Sequence, residues 1–203
     1  MSARTRVAVL ISGRGSNMAA LIEAAKAPDY PAEIALVFSN VETAGGLETA
    51  RAAGIATKVV SHKAFASRED FDAAIDAALV VAKIDLVCEA GFMRIHSEGF
   101  VRKWEGRILN IHPSLLPAFK GVKVHEQALA AGVTISGCTV HFIVPELDAG
   151  PIIAQAAVPV LPDDTPQTLA ARVLGEEHKL YPRALKLVAQ GKVVLRDGRA
   201  IRL

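Results

Sequence analysis

Strand-like and helix-like segments alternate through the first half of the chain, and this alternation constrains the fold more than any other feature. Continuous apolar runs, typical of buried parallel strands, lie at residues 6–12, 33–40, 56–61 and 84–91. Helical periodicity separates them at residues 16–27, 44–54 and 67–83. The alternation predicts an α/β fold with a Rossmann-like, mostly parallel sheet and helices on both faces. Ligands bind such sheets at the carboxyl ends of the strands.

The second half of the chain predicts an antiparallel addition to that sheet. A short helix, a strand that ends in a proline-rich loop and another helix are expected at residues 97–104, 106–117 and 124–132. Strand-like runs at 135–144 and 150–160 flank a turn, so they favour a hairpin that makes the sheet mixed. A long helix at 165–191 and a hairpin around Asp197-Gly198 follow.

Composition favours one folded domain. Hydrophobic residues make up 51% of the 203 residues and charged residues 22%, and no Gly-, Pro- or Ser-rich linker or internal repeat divides them. We therefore expect a single domain, 1–203, with an N-terminal half at about 1–105 and a C-terminal half at about 106–203. The net charge is +2, without a basic or acidic tail, which disfavours broad binding of nucleic acid.

Cysteine usage and hydropathy indicate the compartment. Cys88 and Cys138 lie in apolar runs, as buried free thiols of a reducing compartment do, and no Cys-x-x-Cys pair suggests a metal site. The longest apolar tract, near residues 77–88, is broken by Lys83 and Asp85, so no membrane span is expected. Since no signal-peptide pattern precedes the first strand, we expect a cytoplasmic protein. We also expect that it contains no bound metal.

A glycine-containing loop, VLISGRGSN at residues 9–17, follows the first predicted strand. It begins like a dinucleotide-binding pattern, but Met18 stands where the third glycine is needed. The second strand ends in Ser39-Asn40 instead of the acidic residue that binds the ribose of a dinucleotide. No Gly-Lys-Ser/Thr follows, so a Walker loop is excluded as well.

The same loop suits a smaller anion. Gly15 lets the backbone approach a ligand, Ser16 and Asn17 add donors, and the helix amino terminus favours negative charge. A single terminal phosphate matches these features. An ordinary strand-to-helix turn with Ser16 or Asn17 as N-cap matches them too, and the role of Arg14 stays open.

Two polar residues interrupt the apolar strand in LNIHPSLLP. Asn110 and His112 are two residues apart on a strand, so they point to the same face, while Leu109 and Ile111 point to the other. Polar groups on a mostly apolar strand are costly unless they are paired or used. A hydrogen-bonded core histidine is one explanation. A catalytic amide and imidazole at the strand end is the one that we favour.

The later segment PELDAGPI supplies an acid, Asp148, in a loop between two predicted strands. Turns commonly contain an aspartate, but as a partner of His112 this carboxylate would hold or accept a proton. Together, Asn110 and His112 can stabilise an oxyanion while Asp148 handles the proton, which is the chemistry of acyl transfer. Ser114 is not expected to act as a nucleophile, because no G-x-S-x-G elbow surrounds it.

Four segments in order, ISGRGSN, AGFMRI, ILNIHPSLLPAFKG and ELDAGPI, resemble the glycinamide ribonucleotide formyltransferases. The resemblance runs from about Val7 to about Gln190. It implies the formyltransferase fold and transfer of a formyl group from the co-substrate 10-formyltetrahydrofolate to the amine of glycinamide ribonucleotide, a step of purine biosynthesis. Small-molecule substrates are thus the implied partners, and whether the chain acts alone or as a homodimer stays open.

The resemblance also implies roles for particular residues. The catalytic residues would be Asn110, His112 and Asp148, with Asp148 favouring the protonated form of His112. The ribonucleotide would be bound by Gly15, Ser16, Asn17 and Glu177. The folate would be bound by Arg68, Met93, Arg94, Ile95, His96 and Asn110. The N-terminal half is expected to bind the ribonucleotide phosphate, and the C-terminal half is expected to carry catalysis and folate binding.

Some residues depart from the family pattern. Glu89 and His96 replace apolar residues expected around the pterin, Leu174 replaces a polar ribonucleotide contact, and Ala149 replaces another small residue. Other enzymes that use formyltetrahydrofolate, namely a deformylase or a transfer-RNA formyltransferase, are the alternatives. Both usually carry a further domain, which this sequence does not suggest. A nucleotide-binding module without activity is a third alternative, although it would not need Asn110, His112 and Asp148 together.

Overall fold

The strands and helices follow the alternation that the sequence predicts. The computed structural model describes residues 4–203. Its first half contains β1 Thr5–Ile11, α1 Ser16–Ala25, β2 Ala32–Ser39, α2 Gly46–Ala52, β3 Ala56–Val59, a 3-10 turn His62–Ala64, α3 Arg68–Val81, β4 Leu86–Glu89 and α4 Glu98–Lys103. Its second half contains β5 Ile108–His112, α5 Val124–Ala130, β6 Ile135–Phe142, β7 Ile152–Pro159, α6 Pro166–Ala189, β8 Val193–Arg196 and β9 Arg199–Arg202.

Seven strands form one mixed sheet in the order β3-β2-β1-β4-β5-β6-β7. The first five in that order run parallel, whereas β6 pairs antiparallel with both β5 and β7. This arrangement confirms the predicted fold class, including the antiparallel addition. The strands β8 and β9 form a separate hairpin around Asp197-Gly198, as the sequence predicts.

Both faces of the sheet are covered, which explains why β1 is a continuous apolar run. Val7, Val9 and Ile11 pack into a core that includes residues of α1 and α6. Ala8 and Leu10 pack into a second core against α3 and α4. A strand that is buried on both sides needs no alternation of apolar and polar residues, so the side chains on both of its faces are hydrophobic.

Local signals explain where the helices begin, with one correction. Ser67 caps α3 by accepting a hydrogen bond from the Asp70 amide at 3.0 Å. The alternative that Ser16 or Asn17 caps α1 is wrong. Gly15 is the N-cap instead, and its φ of 71° is a left-handed conformation that glycine adopts without steric cost.

The sheet places the ends of β1, β4 and β5 along one edge, because parallel strands in one sheet have the same direction. The loops that follow these strands therefore lie side by side, and they contain most of the predicted site residues. None of the helices between residues 4 and 203 is long and apolar enough to cross a membrane.

Candidate active site

A cavity of about 590 Å³ lies at this edge of the sheet. Its walls come from the loops after β4 and β5, the start of α5, and the loop between β6 and β7. It brings together nine of the predicted site residues: Asn17, Met93, Arg94, Ile95, His96, Asn110, His112, Asp148 and Glu177. Both halves of the chain therefore contribute to one site.

The remaining predicted residues lie outside the cavity lining. Gly15 and Ser16 directly precede Asn17 at the start of α1. Arg68 begins α3 with an exposed side chain, so its contact with folate stays a prediction. Leu174 and Arg14 do not line the cavity either, and Arg14 is exposed.

His112 is buried at the end of β5 and has a defined proton arrangement. Its Nε2 lies 2.9 Å from the carbonyl oxygen of Phe119. A carbonyl can only accept, so Nε2 carries a hydrogen. Ser114 holds the same loop, since its hydroxyl donates to Ala118 O at 2.6 Å and lies 3.0 Å from Phe119 O. The Nδ1 atom of His112 is consequently the nitrogen that can gain or lose a proton.

Asp148 faces that nitrogen from the loop between β6 and β7. Its Oδ2 lies 3.5 Å from His112 Nδ1 and accepts a hydrogen bond from the Gly121 amide at 2.8 Å. Asp148 has a φ of 48°, which is uncommon for a residue other than glycine and costs on the order of 1 kcal/mol. The Gly121 hydrogen bond helps to fix this conformation and aims the carboxylate at the imidazole.

Asn110 is oriented by a residue that the sequence analysis did not assign. Its Nδ2 lies 3.2 Å from Nε2 of His141, and Nδ1 of His141 lies 2.9 Å from the Phe142 carbonyl. The carbonyl requires a hydrogen on Nδ1, which leaves Nε2 as the acceptor for the Asn110 amide. Burial lowers the pKa of His141 and keeps it neutral. Its signal in the sequence was a polar residue inside the apolar strand 135–144.

Asn17 and Glu177 lie together in the lining of the cavity. Asn17 Nδ2 donates to Glu177 Oε2 at 2.6 Å across 160 residues of chain. Burial raises the pKa of Glu177, and the Asn17 hydrogen bond opposes that increase. The Oδ1 atom of Asn17 is buried and has no hydrogen-bond partner within residues 4–203. The Glu177 carboxylate lines the cavity and can accept a hydrogen bond from a polar ligand.

The backbone at the start of α1 suits an anion. No side chain caps this helix, so its first amides are not occupied by a capping group. A Cβ added to Gly15 would lie 3.0 Å from the Cα of Gly46, so both its conformation and its packing require glycine. These features match the predicted phosphate-binding loop without testing its ligand.

The loop after β4 provides an apolar wall. Met93 and Ile95 are 71% and 51% exposed, although both line the cavity. The backbone amide of Met93 donates to Ser12 Oγ at 2.8 Å, which ties this loop to the end of β1. Exposed apolar side chains that line a cavity are available for contact with a ligand ring.

The same loop contains His96, which lies between two carboxylates. Its Nδ1 is 2.7 Å from Asp72 Oδ1, and its Nε2 is 2.7 Å from Glu89 Oε1. Burial by itself would lower the pKa of His96, but the charges and hydrogen bonds of Glu89 and Asp72 together raise it to about 9. His96 is therefore an imidazolium at neutral pH. Glu89 and His96 stand out in the sequence as departures from the family pattern, but no sequence pattern indicates Asp72.

No group of three or more His, Cys, Asp or Glu side chains within residues 4–203 is arranged to hold a metal ion. Cys88 and Cys138 are buried free thiols, as the sequence predicts.

Comparison with known proteins identifies the family of this chain. Residues 5–185 match the family model described as formyl transferase, and this chain belongs to that family. It is 45% identical over 194 residues to the phosphoribosylglycinamide formyltransferase of Escherichia coli (strain K12), an alignment that covers 96% of this chain and 92% of the relative.

A solved structure and a longer relative agree with this assignment. The structure of glycinamide ribonucleotide transformylase 1 from Symbiobacterium toebii has a TM-score of 0.96 and 45% identity, covering 100% of this chain and 96% of that one. The human trifunctional purine biosynthetic protein adenosine-3 is 55% identical over 96% of this chain. The chain spans only 19% of the length of that relative.

Proposed function

We propose that this chain transfers the formyl group of 10-formyltetrahydrofolate to the amine of glycinamide ribonucleotide, giving N-formylglycinamide ribonucleotide and tetrahydrofolate. The observation that carries the proposal is the convergence of Asn110, His112 and Asp148 on one wall of a cavity. The names of the similar proteins describe the same transfer to a phosphoribosylglycinamide. Purine biosynthesis is the pathway that contains this reaction.

The two substrates would enter from opposite ends of the cavity. Asn17 and Glu177 would bind the ribonucleotide, with its phosphate at the amides of Gly15 and Ser16. The apolar loop with Met93 and Ile95 would contact the folate ring, together with backbone groups of Arg94 and His96. The amine and the formyl carbon would then meet beside Asn110.

The reaction is an attack of the neutral amine on the formyl carbon. The oxygen of the formyl group gains negative charge, and the amide of Asn110 and the Nδ1–H of protonated His112 would donate to it. Asp148 would stabilise that protonated ring and accept the proton lost by the amine. Breakdown of the intermediate breaks the carbon–N10 bond, and the folate nitrogen takes up a proton as it leaves.

The proposal is tested by measuring formyl transfer with purified wild-type protein, Asn110→Ala and Asp148→Asn. Loss of one oxyanion donor lowers kcat about 100- to 1,000-fold, and we expect Asn110→Ala to fall in that range. Asp148→Asn should lower kcat with a smaller change in the KM of either substrate. Full activity of both variants would refute the assigned mechanism.

A deformylase is the second candidate, because Asn110, His112 and Asp148 could equally support attack by water. The same assay separates the two functions. Transfer that depends on glycinamide ribonucleotide supports the proposal, whereas hydrolysis of 10-formyltetrahydrofolate at the same rate with and without the ribonucleotide supports the deformylase. A non-catalytic nucleotide-binding module would give neither product.

We place this activity in the cytoplasm, where the two buried thiols would stay reduced. The required groups come from one chain, and the reaction proposed needs no metal. A homodimer stays a prediction that analytical ultracentrifugation tests.

A further inference from the structure

Glu89 has an acceptor oxygen that the protein itself does not use. The residue is 5% exposed and lines the cavity. One carboxylate oxygen, Oε1, receives the Nε2–H of His96 at 2.7 Å. The other, Oε2, has no hydrogen-bond partner within residues 4–203, and it is not among the fully buried atoms that lack one. That oxygen is therefore open to the cavity.

On the other side of His96, both carboxylate oxygens of Asp72 have hydrogen-bond partners. Asp72 Oδ1 lies 2.7 Å from His96 Nδ1, and Asp72 Oδ2 accepts from the Ser97 amide at 2.5 Å. Phe92 and Phe100 stack on the His96 ring with centroids 5.5 and 4.4 Å away. The ring cannot turn easily, so it holds Glu89 in one orientation. With His96 protonated, the three ionised groups carry a net charge of −1. Because both oxygens of Asp72 are hydrogen-bonded, the free acceptor oxygen of the cluster belongs to Glu89.

Glu89 also stands beside a catalytic residue. It pairs in register with Asn110, which in turn pairs with His141, so these three residues form a row across β4, β5 and β6. The cavity wall near this row is apolar and includes Phe92, Val101 and Ile143. A planar ring between those side chains would place its edge near the Glu89 carboxylate.

We propose that Glu89 is a specificity-determining residue of this cavity, whose Oε2 accepts a hydrogen bond from the amino or ring N–H donors of the bound folate heterocycle. The proposal rests on the proposed function, since it assumes that a folate occupies the apolar end. His96 and Asp72 are positioning residues that hold the carboxylate in one orientation. The buried carboxylate would thus favour rings that carry N–H donors over rings of similar shape without them.

The test combines a variant with altered ligands. In Glu89→Gln the amide oxygen can still accept from His96, which turns the –NH2 group toward the cavity and replaces an acceptor by a donor. Binding is measured by titration calorimetry with 10-formyl-5,8-dideazafolate, with its 2-desamino analogue and with its N3-methyl analogue. We expect Glu89→Gln to weaken the parent ligand about 10- to 100-fold.

For at least one of the two analogues, the effect of Glu89→Gln should fall below about threefold, because the donor that Glu89 accepts from is missing. An equal loss for all three ligands would overturn the proposal and make Glu89 a structural partner of His96 only. If wild-type protein binds none of the ligands, the proposed function fails, and this proposal fails with it. The two failures are thus distinguishable.

Two further variants complete the experiment. Glu98→Gln changes the same residue type on the exposed face of α4, outside the cavity, and should leave all three affinities within about twofold of wild type. The double variant with Glu89→Leu and His96→Leu removes both members of the charged pair. It replaces Glu89→Gln in the experiment if that variant does not fold. It should show the same dependence on the ligand donors, and a uniform effect would again overturn the proposal.

Discussion

Two histidines of the cavity have carboxylate neighbours, but the structure holds them differently. His96 contacts a carboxylate with each nitrogen, both at 2.7 Å, and its raised pKa keeps it charged. His112 has one carbonyl partner, and its carboxylate neighbour, Asp148, is 3.5 Å away. A histidine between two acids is a fixed cation. A histidine with one loosely placed acid can exchange a proton, which is what transfer chemistry requires.

The largest expected effect concerns the exchanging histidine. We expect His112→Asn to lower kcat for formyl transfer about 100- to 10,000-fold, because it removes the donor and proton carrier while keeping a polar group. The matched control is His62→Asn, whose ring lies outside the cavity lining and should keep kcat near that of wild type. A His112→Asn enzyme within threefold of wild type would contradict the contrast between the two histidines.

The fixed histidine should matter more for stability. His96→Leu leaves the buried carboxylates of Asp72 and Glu89 without their cation and should cost about 3 to 5 kcal/mol of unfolding free energy, measured in urea. His96→Leu combined with Glu89→Leu should cost less than the single change, because one stranded carboxylate is removed. A double variant that is less stable than the single one would show that the pairing is unimportant.

Stability should also depend on pH through His96. Folded protein holds this proton up to about pH 9, whereas the unfolded chain releases it near the ordinary pKa of 6.5. The stabilisation is therefore complete below pH 6.5 and is lost as pH rises through 9, by up to about 3 kcal/mol. Asp72 and Glu89 are the titratable groups that face the ring.

Urea unfolding of wild type and of His96→Leu, repeated at several pH values from 6 to 9.5, measures this loss of unfolding free energy. Differences of ~1 kcal/mol or larger are resolved by this method. His96→Leu should not show the wild-type slope. If the unfolding free energy of His96→Leu depended on pH as that of wild type does, the pH dependence would come from another group.

The smallest effect tests how His112 is oriented. Ser114→Ala removes the hydroxyl that holds the Ala118–Phe119 turn, and the Phe119 carbonyl is the partner of His112. We expect a loss of about 1 kcal/mol in stability and a roughly tenfold lower kcat. Thr165→Ala, which removes the cap of α6, should cost about the same stability without lowering kcat. Equal kcat in the two variants would exclude an orienting role for Ser114.

The sequence predicted the parallel strands of the first half, because a strand buried on both faces must be apolar throughout. It also predicted that Asn110 and His112 share a face, since the strand repeat of two residues follows from backbone geometry. It missed the N-cap of α1, where a glycine with positive φ took the place of a side-chain cap. Local propensity for serine and asparagine caps could not reveal that close approach to Gly46.

The alternating elements, the polar pair on β5 and the segments that resemble the family can be read from the sequence, because each depends on residues close together in the chain. The folded arrangement is needed to see that Asp148 reaches His112, that His141 orients Asn110, and that Asp72 and Glu89 enclose His96. These contacts depend on strand order and loop packing, which join residues that no local pattern connects. The chemistry of each histidine follows from that packing.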